Sequence, residues 1–147
     1  VIVRRATPTD VEAMVAFGRK MHELSDLRRF PFDERGASTM AYRCMFDPDK
    51  CAFLAQDEGV VGILAGMACD LDYTPVRYAT DILCVADKPG AGFRLMRTFT
   101  HWAFGEQKVD RIYFGESFGG RDPSKAESFY KRLGAKRTGG FYVMEHL

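Results

Sequence analysis

Cys84-Val85-Ala86-Asp87-Lys88-Pro89-Gly90-Ala91-Gly92-Phe93-Arg94 is the stretch on which the reading of the fold turns. A β-prone run ends inside it. An amphipathic pattern follows, with Leu95, Met96, Phe99, Trp102 and Ala103 on one face, which predicts a strand passing into a helix of about four turns. Two glycines at the corner let successive backbone N–H groups point toward one spot, and the start of a helix adds partial positive charge and unpartnered donors. Such a corner attracts an anion, and Lys88 and Arg94 beside it would add charge-assisted bonds to a pyrophosphate. A tight strand-to-helix turn with no ligand accounts for the glycines equally well. No G-x-x-x-x-G-K-[ST] is present, and the G-x-G lacks the third glycine of a dinucleotide fingerprint, which argues against an ATPase or a Rossmann dehydrogenase.

Working outward from the corner, Tyr78–Val85 reads as its strand. Cys51–Gln56 and Val60–Cys69 read as an antiparallel hairpin closed by Asp57-Glu58-Gly59, and Tyr73-Thr74-Pro75 breaks the chain after it. Val1–Ala6 predicts a first strand. Thr7 as N-cap and Pro8 at the first helical position then open a helix to about Leu24, spaced by Val11, Met14, Val15, Gly18 and Met21. A weaker helix over Asp33–Phe46 stops before Pro48. Downstream, Val109–Gly115 predicts a strand, Gly119–Pro123 a loop, Ser124–Leu133 a helix stopped by Gly134, and Phe141–Glu145 a terminal strand. The order β-α-α-β-β-β-α-β-α-β describes an α/β chain with a mixed sheet.

Length and composition narrow the function classes. At 147 residues and 46% hydrophobic content the chain predicts a single domain over 1–147. Lys and Arg number 21 against 20 Asp and Glu, so there is no charge excess for non-specific nucleic-acid binding, and Arg4, Arg5, Arg28 and Arg29 are scattered pairs. The longest strongly apolar run, Val60–Cys69, is well short of the roughly 18 residues a membrane span needs, and the start lacks a signal-peptide layout. A soluble, cytoplasmic protein with no membrane partner is the expectation. Cys44, Cys51, Cys69 and Cys84 form no C-x-x-C and read as reduced, buried thiols; His22 and His101 show no metal-ligand spacing, so no metal is expected.

A second cluster sharpens the reading. In Ser124-Lys125-Ala126-Glu127-Ser128-Phe129-Tyr130-Lys131-Arg132-Leu133-Gly134-Ala135, helical spacing puts Ala126, Phe129, Tyr130 and Leu133 on one inward stripe ending at a glycine cap. Tyr130 is then either a core tyrosine or a proton donor at a leaving group. With both clusters in view, the chain resembles the Gcn5-related N-acetyltransferase (GNAT) superfamily. Gly90 and Gly92 match the family's R/Q-x-x-G-x-G/A loop, and Ala126-x-x-Phe129-Tyr130-x-x-Leu133-Gly134-Ala135 is similar to its A-x-x-F-Y-x-x-x-G-F signature. Asp87 stands where the family has Arg or Gln, and Pro123 where an asparagine is common.

The resemblance implies a mostly antiparallel central sheet flanked by helices, and acetyl-coenzyme A as co-substrate. It assigns Lys88, Gly90, Ala91, Gly92, Phe93 and Arg94 to the cofactor's pyrophosphate and Leu83, Cys84 and Val85 to its pantetheine arm. Tyr130 takes the role of protonating the departing sulfur. Asp81 and Glu116, at strand ends, are candidates for the base that deprotonates an amine, and Cys84 is a less favoured candidate nucleophile. The acceptor is a small-molecule or protein amine. The loops Asp26–Asp33 and Asp70–Val76 are expected to select it, with Leu27, Phe30 and Phe32 walling a slot or packing on the second helix, and Asp26, Asp70 or Asp72 holding a cationic acceptor. Asp87 and Pro89 leave open an alternative: a binding or regulatory module that keeps the fold without turnover. Phe141–Met144 would either finish the sheet or pair two copies as a homodimer.

Overall fold

A computed structural model describes residues 1–115, 123–140 and 142–146. Its elements follow the expected order: β1 (Ile2–Arg5), α1 (Val11–Glu23), α2 (Glu34–Phe46), β2 (Lys50–Gln56), β3 (Val60–Asp70), β4 (Arg77–Ala86), α3 (Ala91–His101), β5 (Arg111–Tyr113) and α4 (Pro123–Arg132). Local chemistry explains the boundaries. Thr7 and Asp10 close a capping box at the entry to α1, and the Arg4 guanidinium grips both oxygens of Asp10 at 2.8 Å, which holds that carboxyl well below its usual range. Asp33 caps α2 by accepting from the Gly36 N–H at 2.9 Å. α4 ends in a Schellman arrangement, Ala135 N–H to Tyr130 O and Gly134 N–H to Lys131 O, both 3.0 Å, with Gly134 at φ +89°.

The described strands form one sheet in the order β1-β2-β3-β4-β5, antiparallel throughout except for the parallel pair β4–β5. Helices cover both faces. Leu54, Ile63 and Ala65 pack with Met14, Phe17 and Cys44 under α1 and α2; Phe53, Leu64 and Ala68 pack with Leu95, Met96 and Phe99 of α3, and Phe129 and Tyr130 of α4 join that second core. The α3 face of β3 carries two notches. A Cβ on Gly62 would lie 2.9 Å from Leu95 Cδ1 and one on Gly66 2.4 Å from Phe99 Cε2, so two large side chains one helical turn apart enter where the strand has none.

Three details differ from the sequence reading. The strand expected over 109–115 is only Arg111–Tyr113, because the chain leaves α3 through a wider π-type turn at Trp102–Glu106 and residues 107–110 are used to reach the sheet. The expected terminal strand does not form over residues 142–146, where Tyr142, Val143 and Met144 are exposed and Glu145 is paired with Arg29; the three-residue β5 is a short edge for a longer strand to join. Third, β4 contains a bulge that no sequence pattern announced. No helix among the described residues is long and apolar enough to cross a membrane.

Gly66→Ala is expected to destabilise the protein by about 2 kcal/mol through overpacking against Phe99. In a denaturant-based double-mutant cycle, pairing it with Phe99→Leu should recover part of that loss; additive effects would show that Phe99 does not need the notch.

Candidate functional site

β4 and β5 are joined at one end by a polar cluster and part at the other. Arg77, at the start of β4, meets Asp49 (2.8 Å), Asp70 (3.2 Å) and both the backbone and side-chain oxygens of Gln107 (3.1 and 2.6 Å), while Asp110 exchanges backbone and side-chain bonds with the Arg77 peptide. Gln107 in turn donates to Pro48 O at 2.8 Å. From this anchor the parallel ladder runs through Tyr78↔Arg111, Ala79↔Ile112 and Thr80↔Tyr113, then stops. Beyond Thr80 the β5-facing edge of β4 has no strand partner among the described residues, and that unpaired end of the β4–β5 pair is the V of the sheet.

The bulge sits at the mouth of that V. Ala65 pairs with Leu83 and Gly66 with Asp81, leaving Ile82 without a counterpart on β3. Ile82 and Leu83 both pack toward α1 and α2, whereas Cys84 lies on the α3 side with Ala79, and alternation from Ala79 carries Asp81 to that same side. Asp81 Oδ1 accepts from the Gly115 N–H at 3.2 Å, and the Tyr130 hydroxyl donates to the Gly115 carbonyl at 2.6 Å. Asp81, expected at a strand end, sits in the middle of β4, and it and a helix phenol 49 positions away in sequence meet on one residue just past β5. Aromatic packing aims the phenol: Tyr130 stacks on Phe114 at 5.3 Å and meets Phe129 edge-on at 5.2 Å, and Phe99 meets Phe114 edge-on at 6.3 Å.

Electrostatics separate the neighbours. Burial raises the Asp81 carboxyl above its ordinary value, with the Gly115 N–H opposing the shift. The Cys84 thiol is pushed up to about 12, first by burial and then by the Asp81 charge, which keeps it protonated at neutral pH and counts against a nucleophilic thiolate. Glu116, the other candidate base, lies outside the described residues, as does the loop at 119–122.

At the glycine corner Gly90 adopts φ +84° and caps α3. Ala91 N–H is spent on Lys88 O and Arg94 N–H on Gly90 O, while the N–H groups of Gly92 and Phe93 meet no acceptor among the described residues. A Cβ on Gly92 would make only ordinary contacts, 3.8 Å to Ala86 and 3.9 Å to Phe129, so neither packing nor backbone strain requires glycine there. The flanking charges are engaged elsewhere: Lys88 pairs with Asp57 of the hairpin turn, and Arg94 donates to Val1 O at 2.7 Å. Asp87, the acidic departure from the family loop, is met by Lys20 of α1 at 2.5 Å, so part of its repulsion toward an anion is neutralised. Leu83 and Val85 both pack toward α1 and α2, with Cys84 between them on the α3 side.

Of the residues expected to select an acceptor, Leu27 and Phe30 are exposed, while Phe32 packs against Val11 and Val15 of α1 and Ala41 of the second helix, with the Arg19 guanidinium 4.9 Å from its ring centre. Asp70 is held by Arg77. His22 meets Phe30 O at 2.8 Å. Gly115, Arg77, Gln107, Lys20 and Ile82 are the participants the sequence reading missed. Each works through a partner distant in the chain or through its backbone, and leaves no local signature.

No protein-family model matches the sequence, and no curated protein matches it. Solved structures do. An acetyltransferase of the GNAT family from Streptococcus pneumoniae superposes with a TM-score of 0.76 at 18% identity, over 99% of this chain and 92% of that one. A ribosomal-protein-alanine N-acetyltransferase from Brucella melitensis biovar Abortus 2308 gives 0.68 at 15% identity over 99% and 100%. A transcriptional regulator from Bacillus halodurans C-125 gives 0.73 at 22% identity over 99% of each chain. On these superpositions this chain has the fold of the Gcn5-related N-acetyltransferases.

Proposed function

We propose that the protein is an N-acetyltransferase that uses acetyl-coenzyme A and acts on a primary amine. The observation that carries this reading is the convergence of Asp81 and Tyr130 on Gly115 at the point where β4 and β5 part. The residues present fit the co-substrate: a glycine corner with two N–H groups that meet no acceptor among the described residues suits a diphosphate, and a strand edge with no partner among them suits a chain of amides. Bound acetyl-coenzyme A supplies an acyl group activated as a thioester.

The chain's own residues divide the remaining work. Gly92 and Phe93 hold the diphosphate through their N–H groups, and Leu83 and Val85 hold the amide-bearing arm along β4. The peptide groups around the Ile82 bulge, turned out of the β3 ladder, polarise the reacting carbonyl. Tyr130, held by Phe114 and Phe129, turns its hydroxyl from the Gly115 carbonyl and gives its proton to the departing sulfur. Asp81, with a raised pKa, takes the amine's proton directly or through water; Glu116 is the other base. Such a protein works in the cytoplasm, where acetyl-coenzyme A is made and used.

Isothermal titration should show saturable acetyl-coenzyme A binding below millimolar concentration. Absence of binding there would favour the non-catalytic module. Gly92→Ala should leave the stability of the free protein unchanged or slightly raised, since alanine is the better helix former, yet weaken coenzyme A binding by crowding the free N–H groups.

Tyr130→Phe is expected to lower kcat by about a hundredfold with coenzyme A affinity retained. An unchanged kcat, followed by thiol release, would remove the phenol from the chemistry.

Asp81→Asn isolates the buried carboxyl. Because its pKa is raised in the folded chain, the folded state binds that proton more tightly than the unfolded one, so stability falls as pH rises from the unfolded value through the folded one. Asparagine keeps an oxygen for the Gly115 N–H without ionising. The variant should melt above the parent near pH 7 and together with it near pH 3, where both are neutral, and its kcat should fall if Asp81 is the base.

A further inference from the structure

We infer that the acceptor is a small amine that also carries a carboxylate, held through that carboxylate by Arg35, Arg43 and Lys50 in a cleft beneath α2. This rests on the acetyl-transfer reading and names the substrate class for the same site. The cleft holds about 430 Å3, the scale of a metabolite. Ile82, the bulge residue, lines it, so it opens on the face of the sheet opposite Asp81 and Tyr130, against the same peptide groups where the V begins. An amine placed at Ile82 would lie beside the strand segment whose opposite face carries Asp81.

The charge of the cleft decides what else the acceptor carries. Arg35 and Arg43, two turns apart on one stripe of α2, join no ion pair among the described residues. Arg28, Arg97, Arg111 and Arg132 likewise join none among the described residues, so what sets Arg35 and Arg43 apart is that they share one cleft with Lys50. Lys50 stands 3.7 Å from Asp47, a loose contact. Asp33 is the one carboxylate among the described residues that line the cleft, and its Oδ1 accepts from the Gly36 N–H at the cap of α2. Glu34, next to it in sequence, pairs with Arg19. Arg35, Arg43 and Lys50 outnumber Asp33 and Asp47, so the cleft is net positive; it repels a polyamine and attracts an anion, the opposite sign to the acceptor expected from Asp26, Asp70 and Asp72.

The test pairs β-alanine, γ-aminobutyrate and ε-aminocaproate with their amides, which differ only in the charge at one end. With acetyl-coenzyme A, at least one carboxylate should exceed its amide by about tenfold in kcat/KM, the advantage should shrink with added salt, and Arg35→Gln/Arg43→Gln should bring the ratio toward one. In a second arm without acetyl-coenzyme A, the methyl resonances of Ile82 and Met40 should shift on adding the carboxylates and not the amides. Amides and carboxylates acetylated alike, or a ratio the double variant leaves unchanged, would overturn the inference while acetyl transfer stands. Methyl shifts with carboxylates but no acetylation of any amine would keep the anion site and overturn acetyl transfer. No methyl shift and no carboxylate preference would overturn the site itself.

Discussion

The three-residue ladder between β4 and β5 is the constraint on which the rest depends. A parallel pair shares few hydrogen bonds over so short a length, and here it is reinforced at its closed end by the Arg77 guanidinium, which gathers Asp49, Asp70 and Gln107. Gln107 arrives there because α3 ends in a wider turn, with its N–H on Trp102 O. Had the ladder continued past Thr80, the edge of β4 would be paired and no V would exist. Had it not been anchored, Gly115 would have no fixed place between Asp81 and Tyr130.

A second device, the Ile82 bulge, lets one strand serve both faces of the sheet at the same point. It sends two successive side chains toward α1 and α2 and returns Cys84 to the α3 side. The bulge faces Gly66, whose missing side chain admits Phe99. Phe99 meets Phe114, and Phe114 stacks on Tyr130, so the packing that seats α3 also orients the phenol. Structure and proposed chemistry are therefore built from the same contacts.

Charges follow a similar division of labour. Around the glycine corner Asp87, Lys88 and Arg94 are each tied to Lys20, Asp57 or the Val1 carbonyl, leaving backbone N–H groups as the unspent donors. Under α2 the reverse holds: the backbone is satisfied in the helix and the guanidinium groups of Arg35 and Arg43 are unspent. An anion is invited at both places, by dipoles at one and by full charges at the other.

What the sequence by itself determined is local. Spacing and capping placed α2 and α4 within a residue or two and the end of α1 likewise, although Pro8–Asp10 form a 3-10 turn and α1 itself begins three residues later than expected, at Val11; Gly134 stopped α4 as expected, and the turn at Glu58 and Gly59 closed the hairpin, because each depends on neighbours within four residues. Gly90, Gly92 and the stripe bearing Tyr130 were legible for the same reason. The tertiary structure alone decided where β5 stops, that Ile82 is the extra residue of β4, that Lys88 and Arg94 turn away from the corner, and that Arg35 and Arg43 share a cleft with Lys50. It also left residues 142–146 without the strand their composition suggests. Those outcomes depend on pairing register and on partners tens of residues away, and a strand's own residues carry no record of where its neighbour will end.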